Sequence, residues 1–330
     1  MGILTKMKRY QLNEISLIHP EDNKNINFNL ENNSFSTDHN IFENFYNIPN
    51  LYIKDDSDLT EIQSNFYNDI KFPNYDDIDD FGSLIDKASK SIFAKKLDDE
   101  IPMNSKILEA GCGTGQLSLF LSRFSRKIFS IDLSKESLIE GEKFREKNSI
   151  KNVFFFRMNI FKLCFKKNFF DIVISNGVLH HTINPELAFA NLVKVLKKDG
   201  IIIIGLYHKY GRLVTKIRQK IISLFGDKMK FMDPRFKKNI SENKKYAWFL
   251  DQYKNPSEKT HTLSEIHKWF EKNNIEFLSS IPFNYTNDAK LFEKKEKQSN
   301  LNLFFDEIFQ AFSYRQIKEG GFFIIIGKKK

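Results

Sequence analysis

Residues 107–115 read ILEAGCGTG, and this stretch decides the fold. The apolar run 106–110 has the length of a short buried strand and opens directly into Gly111, Gly113 and Gly115. Lacking Cβ atoms, these positions let the main chain pass close to a ligand, and the helix that follows offers its free N–H groups there. Gln116 stands where a dinucleotide fingerprint needs its third glycine, which weakens a nicotinamide reading. Asp132 closes the next apolar run, 127–133, where a carboxylate can accept both hydroxyls of a ribose as charge-assisted hydrogen bonds.

Working outward, further apolar runs at 153–158, 170–175 and 201–207 are separated by helical stretches. Alternation of this kind predicts an α/β fold: a Rossmann-like, seven-stranded, mostly parallel sheet with helices on both faces and ligands at the carboxyl ends of the strands. A helix is expected through Leu213, Ile217, Ile221, Ile222 and Phe225, inside a basic, helical lid at about 208–262. An amphipathic helix at 264–273, a sixth strand at 275–281, an insertion at about 284–319 with a helix near 303–312, and a seventh strand at 322–327 complete the pattern. Upstream, residues 1–54 read as a small β-rich accessory module, with Ile26, Phe28 and Leu30 in alternation. Residues 55–100 read as an acidic linker and an entry helix through Leu84, Ile85, Ala88, Ile92, Phe93 and Leu97, and 101–330 as the main domain.

With 41% hydrophobic residues and 34 phenylalanines the chain can bury a sizeable core, which argues against global disorder. The net charge of +9 invites polyanionic partners, but lysine-rich composition drift and a solvated surface are the simpler expectation, so nucleic acid is possible and not favoured. Two cysteines, Cys112 and Cys164, cannot build a disulfide framework or a cysteine zinc cluster, which fits a reducing cytoplasm. No apolar run approaches membrane-spanning length.

The acidic residue followed by x-Gly-x-Gly-x-Gly resembles motif I of class I S-adenosylmethionine-dependent methyltransferases, a likeness that extends over roughly residues 80–330. It implies S-adenosylmethionine as the cofactor, with Gly111, Gly113 and Gly115 under its amino-acid part and Asp132 on its ribose. It further implies that Glu109 orients the methionine moiety, that Asn159 meets the adenine amino group in place of the more usual aspartate, and that Ser175 borders the donor. The segment from Ser175 to Thr182, SNGVLHHT, resembles the corresponding loop of the group that contains ubiquinone and menaquinone biosynthesis enzymes. Histidine titrates near neutrality, so His180 and His181 are the candidate bases if the nucleophile carries a proton.

Tyr207, Tyr210 and Arg212 follow the fifth strand at the edge suited to substrate recognition, and Asp251, Tyr253 and His261 are expected in the lid over the acceptor. Residues 17–53 resemble the small zinc-ribbon-like domain that precedes or activates some methyltransferases, with Ile48, Pro49, Asn50 and Leu51 matching its end. Its cysteine pairs are missing, and His19, Asp22, Ser36 and His39 stand in their places, so a metal-free module is expected. The expected function is methyl transfer to an O, N or C nucleophile of a small metabolite, lipid precursor or glycan-related acceptor. An RNA methyltransferase and a catalytically silent, cofactor-binding scaffold subunit are the alternatives.

Overall fold

Residues 10, 15–29, 34–38, 40–70, 73–238, 240–282, 290–295, 299–311 and 321–330 are described by the computed structural model of the chain. Leu30, His39 and much of the insertion expected at 284–319 lie outside them. Five short strands come first: β1 (Asn27–Asn29), β2 (Ser34–Ser36), β3 (Ile41–Phe42), β4 (Asn44–Phe45) and β5 (Ile48–Pro49). The acidic stretch read as a linker is helical over α1 (Asp58–Asp69), with Ser57 capping its first turn. The entry helix is two helices, α2 (Phe81–Ser89) and α3 (Ile92–Glu100). Ser91 ends the continuity by accepting the Ala94 N–H as a new N-cap.

The main sheet contains β6 (Lys106–Ala110), β7 (Lys127–Asp132), β8 (Val153–Arg157), β9 (Phe170–Asn176), β10 (Leu196–Tyr207), β11 (Ile275–Ile281) and β12 (Phe322–Lys329). Their spatial order is β11-β12-β10-β9-β6-β7-β8, and only β12 runs antiparallel to its neighbours. This is the expected seven-stranded architecture. The strand order reverses between β6 and β9, so the loops leaving them diverge and open a crevice at their carboxyl ends.

Period-two alternation sorts the core. Leu108, Phe129, Phe154, Phe156 and Val173 face one side with helices α6 (Pro185–Val195) and α9 (Leu263–Lys272). Ile107, Ile128, Phe155 and Ile172 face the other, with α2, α3, α4 (Gln116–Leu121) and α5 (Lys135–Lys147). Each buried phenylalanine contributes about 1.5–3 kcal/mol.

A helix expected between β8 and β9 is not there: residues 158–169 form turns. On that face the N-terminal strands do the covering. Leu17 bridges Phe165, the Tyr10 hydroxyl donates to the Phe155 carbonyl, and Tyr10 packs edge-on against Phe35, Phe154 and Phe156. The β-rich segment thus shares one core with the sheet instead of standing apart. His19 and Asp22 lie 3.2 Å apart, and no group of three metal-ligating side chains occurs among the described residues.

Candidate active site

The loop leaving β6 is left-handed at each of its glycines, with φ of +78° at Gly111, +54° at Gly113 and +76° at Gly115. At two of them a side chain would collide. A Cβ on Gly111 would lie 2.3 Å from Val178, in the loop after β9, and one on Gly115 2.5 Å from the Phe155 ring. Gly111 therefore brings the two loops of the crevice into contact, and Gly115 seats α4 on the sheet. Asp132 accepts the Gly113 N–H at 2.7 Å and the Ser134 N–H at 2.9 Å, tying the ends of β6 and β7 together.

A cavity of about 410 Å³ occupies this crevice. Glu109, Gly111, Gly113, Asp132 and Asn159 line it, and so do His181, Tyr207 and Asp251. Candidate donor and acceptor residues from opposite halves of the chain thus share one wall. Gly115, Ser175, His180, Tyr210, Arg212, Tyr253 and His261 do not line it.

Two carboxylates lie beneath the loop, Glu109 buried and Asp132 half-buried. Burial pushes Glu109 up to about 7, an effect increased by Asp132 and opposed by the Ser118 hydroxyl bonded to it. Burial likewise raises Asp132 above the usual carboxylate range, opposed by the backbone N–H groups it accepts. Paired acids without a buried cation are costly, so a cationic ligand carrying hydroxyls fits this wall. An adenosyl sulfonium with an amino-acid tail has that chemistry.

Several expectations change with the geometry. Asn159 is spent on the protein: its Oδ1 accepts the Phe161 N–H at 3.0 Å, and its Nδ2 donates to Ile53 and Asp55, each at 3.2 Å. It anchors the segment entering α1, so an adenine contact would have to share its oxygen. Ser175 donates to the Ala110 carbonyl at 3.1 Å, a strand-to-strand tie away from the cavity.

The adjacent histidines separate. His180 is fully buried, with neither ring nitrogen hydrogen-bonded, its ring 4.1 Å from that of Tyr207 and 4.2 Å from that of His181. Burial, then the neighbouring His181, Arg212 and His261, hold it far below the ordinary histidine range. It packs inside the protein without reaching the cavity, so His181 is the one of the two placed to meet an acceptor. His181 faces the cavity, with Nδ1 2.7 Å from the Ser257 carbonyl. A carbonyl oxygen only accepts, so Nδ1 is the donor, and in the neutral ring Nε2 is the nitrogen with the free lone pair.

Arg212 is also corrected. It is entirely buried and forked onto Glu258, with Nε at 3.0 Å and Nη2 at 2.5 Å. Its Nη1 donates to Gln252 at 2.5 Å, and its guanidinium lies 3.8 Å from the Tyr207 ring centroid. It holds the lid segment rather than a substrate anion. Arg212→Lys keeps the charge and loses the fork, and is expected to lower stability by about 1–2 kcal/mol. A lower urea midpoint with an unchanged slope checks this.

Tyr253 donates to Asp233 at 2.8 Å, as does Trp248. His261 pairs with Glu265 at 3.0 Å and bridges His208 through its backbone, and Tyr210 packs on His208 and Phe304. Tyr210, Tyr253 and His261 thus contact other protein groups instead of the cavity.

Sequence reasoning missed the far wall. Leu59, Gln63 and Tyr67 of α1 line the cavity, opposite a π-helical turn, Leu250–Lys254, that carries Asp251 and Gln252. The Tyr67 hydroxyl donates to Asp251 at 3.1 Å and accepts from Asn255 at 2.9 Å, while Gln63 donates to Asn255 at 3.0 Å. Gln252 bonds the Tyr207 hydroxyl at 2.6 Å and Asp251 at 2.7 Å. The i, i+4, i+8 spacing of Leu59, Gln63 and Tyr67 was the available signal, masked by the acidic residues around it.

The family profile described as a methyltransferase domain matches residues 102–274. An uncharacterised protein of Synechococcus is 24% identical over 52% of this chain and 48% of its own length. The ubiquinone/menaquinone biosynthesis C-methyltransferase UbiE of Wigglesworthia glossinidia brevipalpis is 28% identical over 53% of this chain and 70% of its own. The chain thus spans about half the length of the first of these relatives. Among solved structures, PKMT2 from Rickettsia typhi in complex with AdoHcy has a TM-score of 0.50 at 17% identity, covering 72% of this chain and 52% of that one, a likeness of fold. With more than half of its residues matched by the profile, the chain belongs to the methyltransferase-domain family and has the class I S-adenosylmethionine-dependent architecture.

Proposed function

We propose that this protein transfers a methyl group from S-adenosylmethionine to a proton-bearing O, N or C nucleophile of a small molecule, with a metabolite, lipid precursor or glycan-related compound as acceptor. The observation that carries the reading is the single cavity lined by Asp132 and the glycine loop as well as by His181, Tyr207 and Asp251. When bound, S-adenosylmethionine supplies an electrophilic methyl on a sulfonium, so alignment of the acceptor provides much of the acceleration.

The residues of this chain divide the remaining work. Asp132 holds the ribose hydroxyls, and Glu109 offsets the positive charge of the donor. His181 removes the acceptor proton through Nε2, its tautomer held by Ser257. Tyr67, Gln252 and Asp251 orient the acceptor, and α1 closed against the lid excludes water. Labelled-methyl transfer from S-adenosylmethionine into fractionated cell extract tests the reading. Label in the small-molecule or lipid fraction supports it, label in RNA favours the RNA alternative, and donor binding without any transfer favours the silent scaffold.

Glu109 makes the site sensitive to pH. Its folded pKa of about 7 exceeds the ordinary 4.5, so the folded state holds this proton more tightly and loses stability as pH rises from about 4.5 to about 7. The loss is roughly 3–4 kcal/mol, about 1.4 kcal/mol for each unit between the two pKa values, and stays constant above that window. Glu109→Gln is expected to remove it, seen as a smaller fall in unfolding free energy between pH 5 and pH 8. A cationic donor favours the ionised carboxylate, so its affinity should rise with pH across neutrality in the wild type and flatten in the variant. Parallel pH profiles for the two proteins would remove Glu109 from the donor site.

A further inference from the structure

The surplus charge of the chain is concentrated. Between Lys209 and Lys245 stand twelve lysines and arginines against three acidic residues, which alone equals the net +9 of all 330 residues. Compositional drift would spread such an excess along the chain. This segment includes the helix α7 (Leu213–Phe225) and the helix α8 (Glu242–Phe249), and it leads into the turn whose Asp251 and Gln252 line the cavity.

The outward face of α7 is apolar as well as basic. Ile222 is buried, whereas Leu213 is 42%, Ile217 58%, Leu224 78% and Phe225 69% exposed. At about 100° per residue, Leu213, Ile217, Lys220 and Leu224 fall on one stripe. Phe231, in the turn that follows, is 59% exposed. Lys220, Lys228, Lys237 and Lys238 are exposed and make no ion pair among the described residues. The apolar surface continues onto α10 (Asn300–Ala311), where Phe305 and Phe309 are exposed and Phe304 touches Tyr210, close to the start of α7.

A solvated charged face has no use for outward leucine and phenylalanine. Nucleic acid would use the lysines and leave the aliphatic stripe unexplained, and a second copy of this chain would set one basic segment against another. Anionic lipid satisfies both halves: side chains such as Leu224 and Phe225 enter the boundary between headgroups and acyl chains, and the flanking lysines meet the phosphates.

We propose that the outer face of the 209–245 segment docks on an anionic lipid surface, with α7 lying in the interface. Among the described residues no helix is long and apolar enough to cross a membrane, so the attachment is peripheral. The docking rests on this surface and not on the methyl-transfer reading. Joined to that reading, it favours a lipid-borne acceptor, because the same segment runs inward to Trp248 on the cavity wall.

Co-sedimentation of the full chain with vesicles tests it, using phosphatidylcholine alone or mixed with phosphatidylglycerol. Partition is expected to be about tenfold or more greater on the anionic vesicles and to fall with added salt. The double variant Leu224→Ser, Phe225→Ser and the double variant Lys220→Glu, Lys228→Glu should each reduce it about tenfold, with circular dichroism and S-adenosylmethionine binding as in the wild type. Absence of partition, equal partition on neutral vesicles, or unchanged binding by the folded variants overturns the proposal. So does RNA binding without vesicle binding, or a dimer in size exclusion that the Leu224, Phe225 variant abolishes. Loss of donor binding in the wild type would count against the methyl-transfer reading alone.

Discussion

Replacing Asp132 with alanine is expected to weaken S-adenosylmethionine binding by about 10²–10³-fold, the equivalent of two charge-assisted hydrogen bonds of about 1.5–2 kcal/mol each. The carboxylate is half-buried at the end of β7, raised in pKa by desolvation, and already fixed by the Gly113 and Ser134 N–H groups. Its geometry is therefore set before the ligand arrives, and little ordering entropy is lost on binding. Asp132→Asn separates charge from shape: the amide keeps one acceptor oxygen and should fall between the other two proteins. Calorimetric titration of all three with S-adenosylmethionine and S-adenosylhomocysteine measures this, with circular dichroism to confirm folding. An affinity unchanged in the alanine variant would sink the assignment of the glycine loop as the donor site.

His181→Asn is expected to lower kcat by about 10²–10⁴-fold, the usual span for losing a positioned general base. Donor affinity should be nearly unchanged, because His181 acts on the acceptor proton. Asparagine can still donate to the Ser257 carbonyl, so the local hydrogen bond survives and the lone pair of Nε2 is what disappears. His180→Phe is the control. Its imidazole is buried without hydrogen bonds and held neutral, so an aromatic replacement should retain turnover and most stability. Turnover retained by the His181 variant and lost by the His180 variant would reverse the assignment.

The sequence placed the glycine-loop wall of the cavity better than the opposite wall, for a physical reason. The residues proposed for the donor lie in short segments at strand ends, where local spacing fixes position, so the gathering of Gly111, Gly113 and Asp132 at one crevice was legible from periodicity and glycine placement. The opposite wall of the cavity, proposed for the acceptor, is built from pairs far apart in the chain. Tyr67 meets Asp251 across 184 residues and Gln63 meets Asn255 across 192, separations that no local pattern encodes. Arg212 shows the converse error. A cation after a strand reads as a substrate anchor until Glu258, 46 residues on, proves to be its partner.

The same division holds for the fold. By itself the sequence determined the seven strands, because runs of buried β-branched and aromatic residues must alternate with helices when a parallel sheet is covered on both faces. Its glycines, Asp132 and Gln116 also carried the resemblance that implied the cofactor class, since these are local facts. Only the tertiary structure decided that the N-terminal strands cover the face between β8 and β9, that the acidic stretch folds as α1 over the cavity, and which of two neighbouring histidines meets it. Those outcomes depend on which distant surfaces exclude water from one another, and burial of that kind is a property of the packed chain, not of any segment within it.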